Sequence, residues 1–285
     1  MKPPAFAYHR ARSVDDAVAA LAGGDAKVLA GGQSLVPILN MRLAAPAALV
    51  DINGLADELG WIEVADGRVR VGALARHTQT YHSTVAAAAQ PLLAQATGQV
   101  AHPTIRNRGT TVGSIVHADP AAELPAVLLL CDGELELRSA TGSRTVAAAE
   151  LFLGPLECAL RADELAVAAT FAAAPARTGT AWVEVSRRAG DYALAGLGMA
   201  VTLAEDGTVE RARAAYISVG PTPVLVDLTE AVGGTPDWRA AGEYAASMVD
   251  PEADIHASAE YRRHLVAVLT ARAGAQAHTR AGEAL

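Results

Sequence analysis

The segment KVLAGGQSLVPILNMRLAAPAALVDI, Lys27 to Ile52, runs strand, glycine turn, helix and strand within about 25 residues, the pattern of a βαβ unit. KVLA (27–30) and ALVDI (48–52) have strand length, and LVPILNMRL between them reads as a helix with Pro37 near its first turn. Parallel strands cannot be joined by a tight hairpin, so this part of the chain is committed to an α/β layer. Ligands in such layers gather at the carboxyl ends of the strands, where Gly31 and Gly32 fall. Without side chains the backbone turns sharply there, and its N–H groups, with the Ser34 hydroxyl, converge as a nest for an anion. Two adjacent glycines taken alone are more often a plain strand-to-helix turn. A capped helix precedes the unit. Ser13 is its N-cap, Asp16 holds the capping-box position, and Val14, Ala17, Val18 and Leu21 share a face up to Gly23-Gly24.

The pattern changes from residue 56 onward. RVRVGAL alternates as a strand, PLLAQATGQV is a helix closed by Gly98, and ELELRSATGSRTV is a hairpin turning at Gly142. ELAVAATF (164–171) is one more strand, and the small, polar AAAPARTGT (172–180) marks a domain boundary. Beyond it AWVEVS, LGMAVTLA and ARAAYISVG are three strands. Ser258 caps a final helix whose stripe is Tyr261, Leu265, Val268 and Leu269, with its arginines facing solvent or a partner and the last dozen residues frayed. The expected organisation is a domain over 1–175, split into about 1–55 and 56–175, and a second domain over 176–285.

Composition narrows the function classes. A formal net charge of −8 and the lack of a basic stripe argue against nucleic-acid binding. The opening MKPPAFAYHRARS has no apolar signal core, and no run is long enough to span a membrane, so a cytoplasmic location is expected. Cys131 and Cys158 are the only cysteines and form no CxxC pair, too few for an iron–sulfur cluster or a structural zinc. No metal site is expected. Aromatic residues make up 4% of the chain against 51% hydrophobic, so close backbone packing must stand in for large side chains.

The densest polar stretch is HPTIRNRGTTVGSIVHADPAAELPAVLLL (102–130). Gly109, Thr110, Thr111, Gly113 and Ser114 crowd into six positions, with His102, Arg106 and Arg108 before them and Asp119 and Glu123 after. Apolar runs on both sides anchor the stretch in a core, and unpaired polar groups there cost roughly 1–3 kcal/mol each. Two small-residue, hydroxyl-rich turns some 80 residues apart suit a long ligand containing a pyrophosphate. Neither is GxGxxG, so a Rossmann mode of binding is not expected.

AGGQSLVP followed by IRNRGTTVGSIVHADPAAELPAVLL resembles the FAD-binding medium subunit of the molybdenum hydroxylases. This is the carbon monoxide dehydrogenase medium-chain family, akin to the flavin domain of xanthine dehydrogenase. Its members carry AGGxSL(L/V)P and then IRNRGTIGGNLAHADPxxDLPA. SRRAGDYALAGLGMAV (186–201) and YRRHLVAVLTARA are similar to its C-terminal segments. The resemblance implies an α+β fold: a two-subdomain FAD-binding domain, with a small βαβ part and a mixed or antiparallel part. A small C-terminal domain follows, with a three-stranded sheet and helices.

The resemblance makes Ala30, Gly31, Gly32, Gln33 and Ser34, with Leu35, the first FAD loop, around the pyrophosphate. Thr110, Thr111, Val112, Gly113 and Ser114 occupy the second loop, where the family has T-I-G-G-N. Val112 stands in place of a glycine and denies the loop an easy positive φ, which implies a reshaped loop. Ser114 replaces an asparagine and loses an amide. Glu123 lies where the family has an aspartate beside the flavin; Asp119 is either a second contact or the cap of a helix beginning at Pro120. Tyr192 matches an aromatic beside the isoalloxazine or is an interface tyrosine. Leu165 matches an apolar contact on the adenine side or is a core leucine. Arg106 and Arg108 either meet phosphate or fix the loop through carboxylates.

No side chain is expected to act as a catalytic acid or base, since FAD itself exchanges single electrons and electron pairs. The resemblance implies a small partner subunit with 2Fe–2S clusters and a large one with molybdopterin, commonly as a dimer of heterotrimers. This chain would pass electrons from the clusters to an external acceptor. Two alternatives stand beside it: a self-contained FAD-dependent oxidase or reductase, and an assembly or binding protein without FAD.

Overall fold

The computed structural model describes residues 1–233 and 236–283. A parallel sheet opens the chain, in the order β1 (Ala7–Arg10), β3 (Ala48–Asp51), β2 (Ala26–Leu29). The Leu35–Asn40 helix joins β2 to β3, and the two strands pair in parallel with Val28 opposite Val50 and Leu29 opposite Asp51. This is the βαβ unit that the glycine-bearing segment predicts. β1 adds a strand that the sequence did not suggest, because AYHR is polar and largely exposed; it docks on β3 with Tyr8 opposite Leu49. The Val14–Leu21 helix covers the sheet, with Val14, Ala17, Val18 and Leu21 buried. At its start Ser13 Oγ accepts from Asp16 N, and the Asp16 carboxylate accepts from Arg12 N at 2.8 Å.

The second layer is an antiparallel sheet in the order β4 (Ile62–Ala65), β5 (Arg68–Gly72), β10 (Leu165–Ala172), β6 (Glu134–Ser139), β7 (Gly142–Ala147). Leu135 and Leu137 of the predicted hairpin both face inward and are fully buried. A short ribbon of β8 (Phe152–Gly154) and β9 (Glu157–Cys158) lies between β7 and β10 in sequence. The Pro91–Thr97 and Glu123–Leu130 helices add Leu92, Leu93, Leu124 and Leu128 to the same core.

The C-terminal sheet is antiparallel: β11 (Thr178–Val185), β12 (Ala195–Leu203), β13 (Val209–Ile217) and β14 (Val224–Asp227). The three expected strands are present, and β14, too short to stand out in the sequence, extends the edge. Trp182, Ala215 and Ile217 join the first core, whereas Leu197, Met199 and Val201 join a second core with the last helix. Low aromatic content shows its consequence at that helix. Gly179 lies so close to the backbone of Ala277 and Ala281 that a Cβ has no room, and the Trp238 ring fills the space above Gly274.

The last helix, Ala259–Glu283, departs from expectation in three ways. Leu265 and Leu269 are buried as expected, but Tyr261 is exposed and Val268 half-buried, because the buried stripe runs through Arg262, Val266, Thr270 and Ala273 instead. Arg262, expected to face outward, is buried and donates to Leu194 O (2.5 Å), Ser218 O (3.1 Å) and the Asp254 carboxylate (2.6 Å). Backbone N–H groups and this arginine hold Asp254 down to about 2. The expected frayed end is helical through Glu283, where Ala273, Ala277 and Ala281 remain buried; the final two residues lie outside the described residues. Among the described residues no helix is long and apolar enough to cross a membrane.

Candidate functional site: two glycine-bearing bends

β2 ends at Leu29, and the chain bends through Ala30 to Ser34 before the next helix begins at Leu35. Gly32 takes a φ of +71°, a conformation cheap only for glycine, and Gln33 Nε2 ties the bend by donating to Gly31 O at 3.1 Å. Ser34 makes no cap bond to the helix it precedes. Among the described residues the amides of Gly31, Gly32, Gln33 and Ser34 donate to no protein acceptor. The bend therefore leaves consecutive donors for something else.

The second bend is built differently. Thr110 is an N-cap whose Oγ1 accepts from Gly113 N at 3.1 Å, and residues Thr111–His117 form a helix. Thr111 N donates to Ala75 O, Ser114 N to Thr110 O, and Gly109 N to Ile105 O. The side chains of Thr111 and Val112 point into the core, with Thr111 Oγ1 bonded to Thr80 Oγ1 at 2.9 Å. Val112 has a helical backbone that needs no positive φ, and its side chain fills core volume. Ser114 is half-buried on the outer side of the same turn.

These bends, far apart in sequence, touch. A Cβ on Gly31 would collide with the carbonyl oxygen of Arg108 and sit 2.7 Å from Gly109 Cα. Gly109 in turn lies against the buried His77 ring, where a Cβ would come within 2.8 Å of Cδ2. Burial and nearby Arg106 push His77 down to about 4, so it is neutral near pH 7. Gly31 is needed because backbone meets backbone there, and Gly109 because the His77 ring leaves no room for a Cβ. Unpaired amides beside such an approach form a cradle with the chemistry of a pyrophosphate site, which the dinucleotide FAD fits.

The flanking residues separate into two groups. Arg106 Nη1 donates to the carbonyls of Gly98, Val100 and Ala101, and among the described residues Arg106 makes no ion pair, correcting the carboxylate expectation for it. Arg108 is exposed. Asp119 closes a local turn on Ala121 N at 2.9 Å, and the following helix starts at Glu123, so Asp119 is not the cap of a helix beginning at Pro120. Burial, then the nearby Glu184 and Asp119 carboxylates, push Glu123 up to about 8. Burial also raises Glu184, which accepts from Trp182 Nε1 at 2.8 Å. Tyr192 is 67% exposed overall, yet crowding at its hydroxyl and the Asp119 charge raise it. Glu123 thus feels the Glu184 and Asp119 charges, and Tyr192 those of Asp119 and Glu123. Leu165 stands apart, fully buried in β10 opposite Arg138.

Sequence reasoning passed over Asn53 and Arg76. Asn53 Nδ2 donates to Ala30 O (2.9 Å), its Oδ1 accepts from Arg76 Nη2 (2.7 Å), and Arg76 Nη1 donates to Arg108 O (2.6 Å). No local motif announces them, since each contact spans 23 to 32 residues.

Known proteins share this architecture. Residues 4–171 match the FAD binding domain in molybdopterin dehydrogenase, and residues 180–277 match the CO dehydrogenase flavoprotein C-terminal domain. The chain is 40% identical to the 6-hydroxypseudooxynicotine dehydrogenase complex subunit alpha of Paenarthrobacter nicotinovorans, covering 99% of this chain and 97% of that one. It is 35% identical to the carbon monoxide dehydrogenase medium chain of Hydrogenophaga pseudoflava, over 96% and 97% of the two chains. A solved structure of carbon monoxide dehydrogenase from that organism, lacking the Mo-pyranopterin moiety of its cofactor, superposes with a TM-score of 0.92 over 98% of this chain and 99% of that one, at 35% identity. Quinoline 2-oxidoreductase from Pseudomonas putida 86 superposes with a TM-score of 0.92 at 32% identity, over 99% of each chain. With both domain types present in order and the fold matched from end to end, the chain belongs to the FAD-binding flavoprotein subunits of the molybdenum hydroxylase family, which are parts of oxidoreductases.

Proposed function

We propose that FAD lies across the two bends of this chain and relays electrons from a partner subunit to an external acceptor. The contact between Gly31 and Gly109 carries the reading, because it brings the unpaired amides of 31–34 next to the second bend. In this reading the backbone of Ala30 to Leu35 holds the pyrophosphate. Gly113 and the Ser114 hydroxyl line the opposite wall, while Thr110, Thr111 and Val112 hold that wall in shape through their cap and core contacts. Asp119, Glu123 and the exposed Tyr192 border the flavin end, and Leu165 supports the adenine side from within the core.

FAD supplies an exchange between single electrons and electron pairs. The chain's own task is to bind the dinucleotide, fix the ring's exposure and set the charge around it. A neutral Glu123 spares the reduced ring a facing anion and can donate a hydrogen bond. With Cys131 and Cys158 as its only cysteines, the chain relies on a small 2Fe–2S subunit for electrons and on a large molybdopterin subunit for hydroxylation. We place it in a dimer of such heterotrimers in the cytoplasm, with domains over 1–175 and 176–285. The names of its relatives as a complex subunit or medium chain support that assembly.

The test is Gly31→Val in the full chain. Its branched side chain drives the bends apart, so FAD binding followed by flavin fluorescence should weaken at least about 100-fold, some 2.7 kcal/mol. Unchanged binding contradicts the reading. A parent chain with no flavin absorbance points instead to an FAD-free assembly protein, and turnover by the isolated chain to a self-contained oxidase.

A further inference from the structure

The Ala30 and Arg108 carbonyls belong to different bends, yet one side-chain relay holds both. It begins at Tyr8, whose hydroxyl donates to Asp51 Oδ2 at 2.5 Å. Asp51 Oδ1 accepts from Asn53 N (2.9 Å) and from Asn53 Nδ2 (2.6 Å), which fixes the amide's orientation. The second Nδ2 hydrogen is then directed at Ala30 O, and Oδ1 is left to accept from Arg76. Arg76 is anchored at its own backbone: Arg76 N donates to Gln79 Oε1, His77 N donates to Gly109 O, and Arg76 forms an isolated bridge with Thr110.

Among the described residues no carboxylate lies within ion-pair distance of Arg76. Its guanidinium is used for its width. The planar fork sets two N–H directions at a fixed separation, which a lysine ammonium cannot reproduce. The relay reaches the bends through Asn53 Nδ2 and Arg76 Nη1, which end on the backbone carbonyls of Ala30 and Arg108.

We propose that Asn53 and Arg76 are positioning residues for FAD, latching the Ala30 and Arg108 carbonyls so that the two bends keep the spacing the dinucleotide requires. The inference rests on the reading that FAD lies across the bends. Neither residue needs to touch the cofactor; both act through the backbone that does. A relay of this kind fails as a unit, since breaking either bond frees one bend from the other.

The full chain loaded with FAD provides the test, with Asn53→Ala, Arg76→Met, Arg76→Lys and the Asn53→Ala/Arg76→Met double variant. FAD loss is followed by the return of free-flavin fluorescence on dilution, and the thermal midpoint of each FAD-free chain is measured beside it. Each single variant should release FAD about tenfold faster, equivalent to about 1.4 kcal/mol. Arg76→Lys should be as impaired as Arg76→Met, and the double variant no worse than either single one. The FAD-free midpoints should stay within about 2 °C of the parent.

Parental release rates in the single variants overturn the latch. So does Arg76→Lys behaving as the parent, which makes charge the operative property, or a double variant showing the product of the single effects. A drop in FAD-free midpoint with unchanged release makes the relay merely structural and also overturns it. Should Asn53→Ala fail to fold, the two Arg76 variants decide alone. Gly31→Val separates the two claims: if it releases FAD like the parent, the bend reading itself is wrong. If only Gly31→Val is impaired, FAD lies on the bends and the latch is wrong.

Discussion

The first bend, Ala30–Ser34, and the second, Thr110–Ser114, look alike in the sequence and are built on opposite principles. The first leaves its amides without protein acceptors and its serine without a cap bond. The second satisfies most of its amides internally, caps its helix with Thr110 and sends Thr111 and Val112 into the core. Small residues therefore serve two ends. In one bend they expose backbone to a ligand; in the other they let backbone and helix pack closely enough to form the wall that ligand meets. One surface gives affinity, the other shape.

The largest effect separating the bends belongs to Gly31→Val, expected to weaken FAD at least about 100-fold while a Gly113→Ala change, whose Cβ would crowd the buried Thr110 hydroxyl that caps the helix, falls mainly on stability. Equal losses of FAD affinity in both would erase the distinction.

The acidic stretch after the second bend gives the next effect. Glu123 has an ordinary value of 4.5 and stands at about 8 in the fold. The fold therefore binds a proton that the unfolded chain releases between those values. The stability this contributes is fully present below about 4.5 and is lost as pH rises to about 8. Glu123→Gln removes this loss. Its FAD-free unfolding free energy should match the parent's near pH 4.5 and exceed it progressively up to pH 8, by as much as a few kcal/mol, with Glu184 sharing the same trend. A constant difference across that range would show that Glu123 ionises normally.

Smaller effects sharpen the contrast between the two hydroxyls. Ser34→Ala should weaken FAD about tenfold and leave the FAD-free midpoint almost unmoved, because no cap bond is lost. Thr110→Ala should cost about 1 kcal/mol of stability by freeing Gly113 N, with a lesser change in FAD affinity. Denaturant unfolding and flavin titration of both variants check the pair, and a reversal of the two patterns breaks the comparison.

What the sequence made legible was local. The Ser13 cap, the βαβ crossover, the hairpin at Gly142 and the Pro91 helix each announce themselves by spacing within a few residues. What escaped was tertiary. Nothing in AYHR distinguishes β1 from a polar lead-in until β3 offers an edge. Arg262 reads as a solvent-facing arginine, and only the carbonyls of Leu194 and Ser218 with Asp254 make its burial tolerable. The motif residues around Thr110 were legible as a site, but their division into cap, core and wall was not, because it depends on what Thr80 and Ala75 present to them. Asn53 and Arg76 carry no motif at all.

Hydrogen exchange of the full chain, with and without FAD, tests the central claim most directly. FAD should slow exchange at the amides of Gly31 to Ser34, which now lack protein acceptors, and more weakly across Thr110 to Ser114, where most amides are already bonded. Bound FAD that leaves both bends exchanging as before, with protection appearing elsewhere, would contradict it.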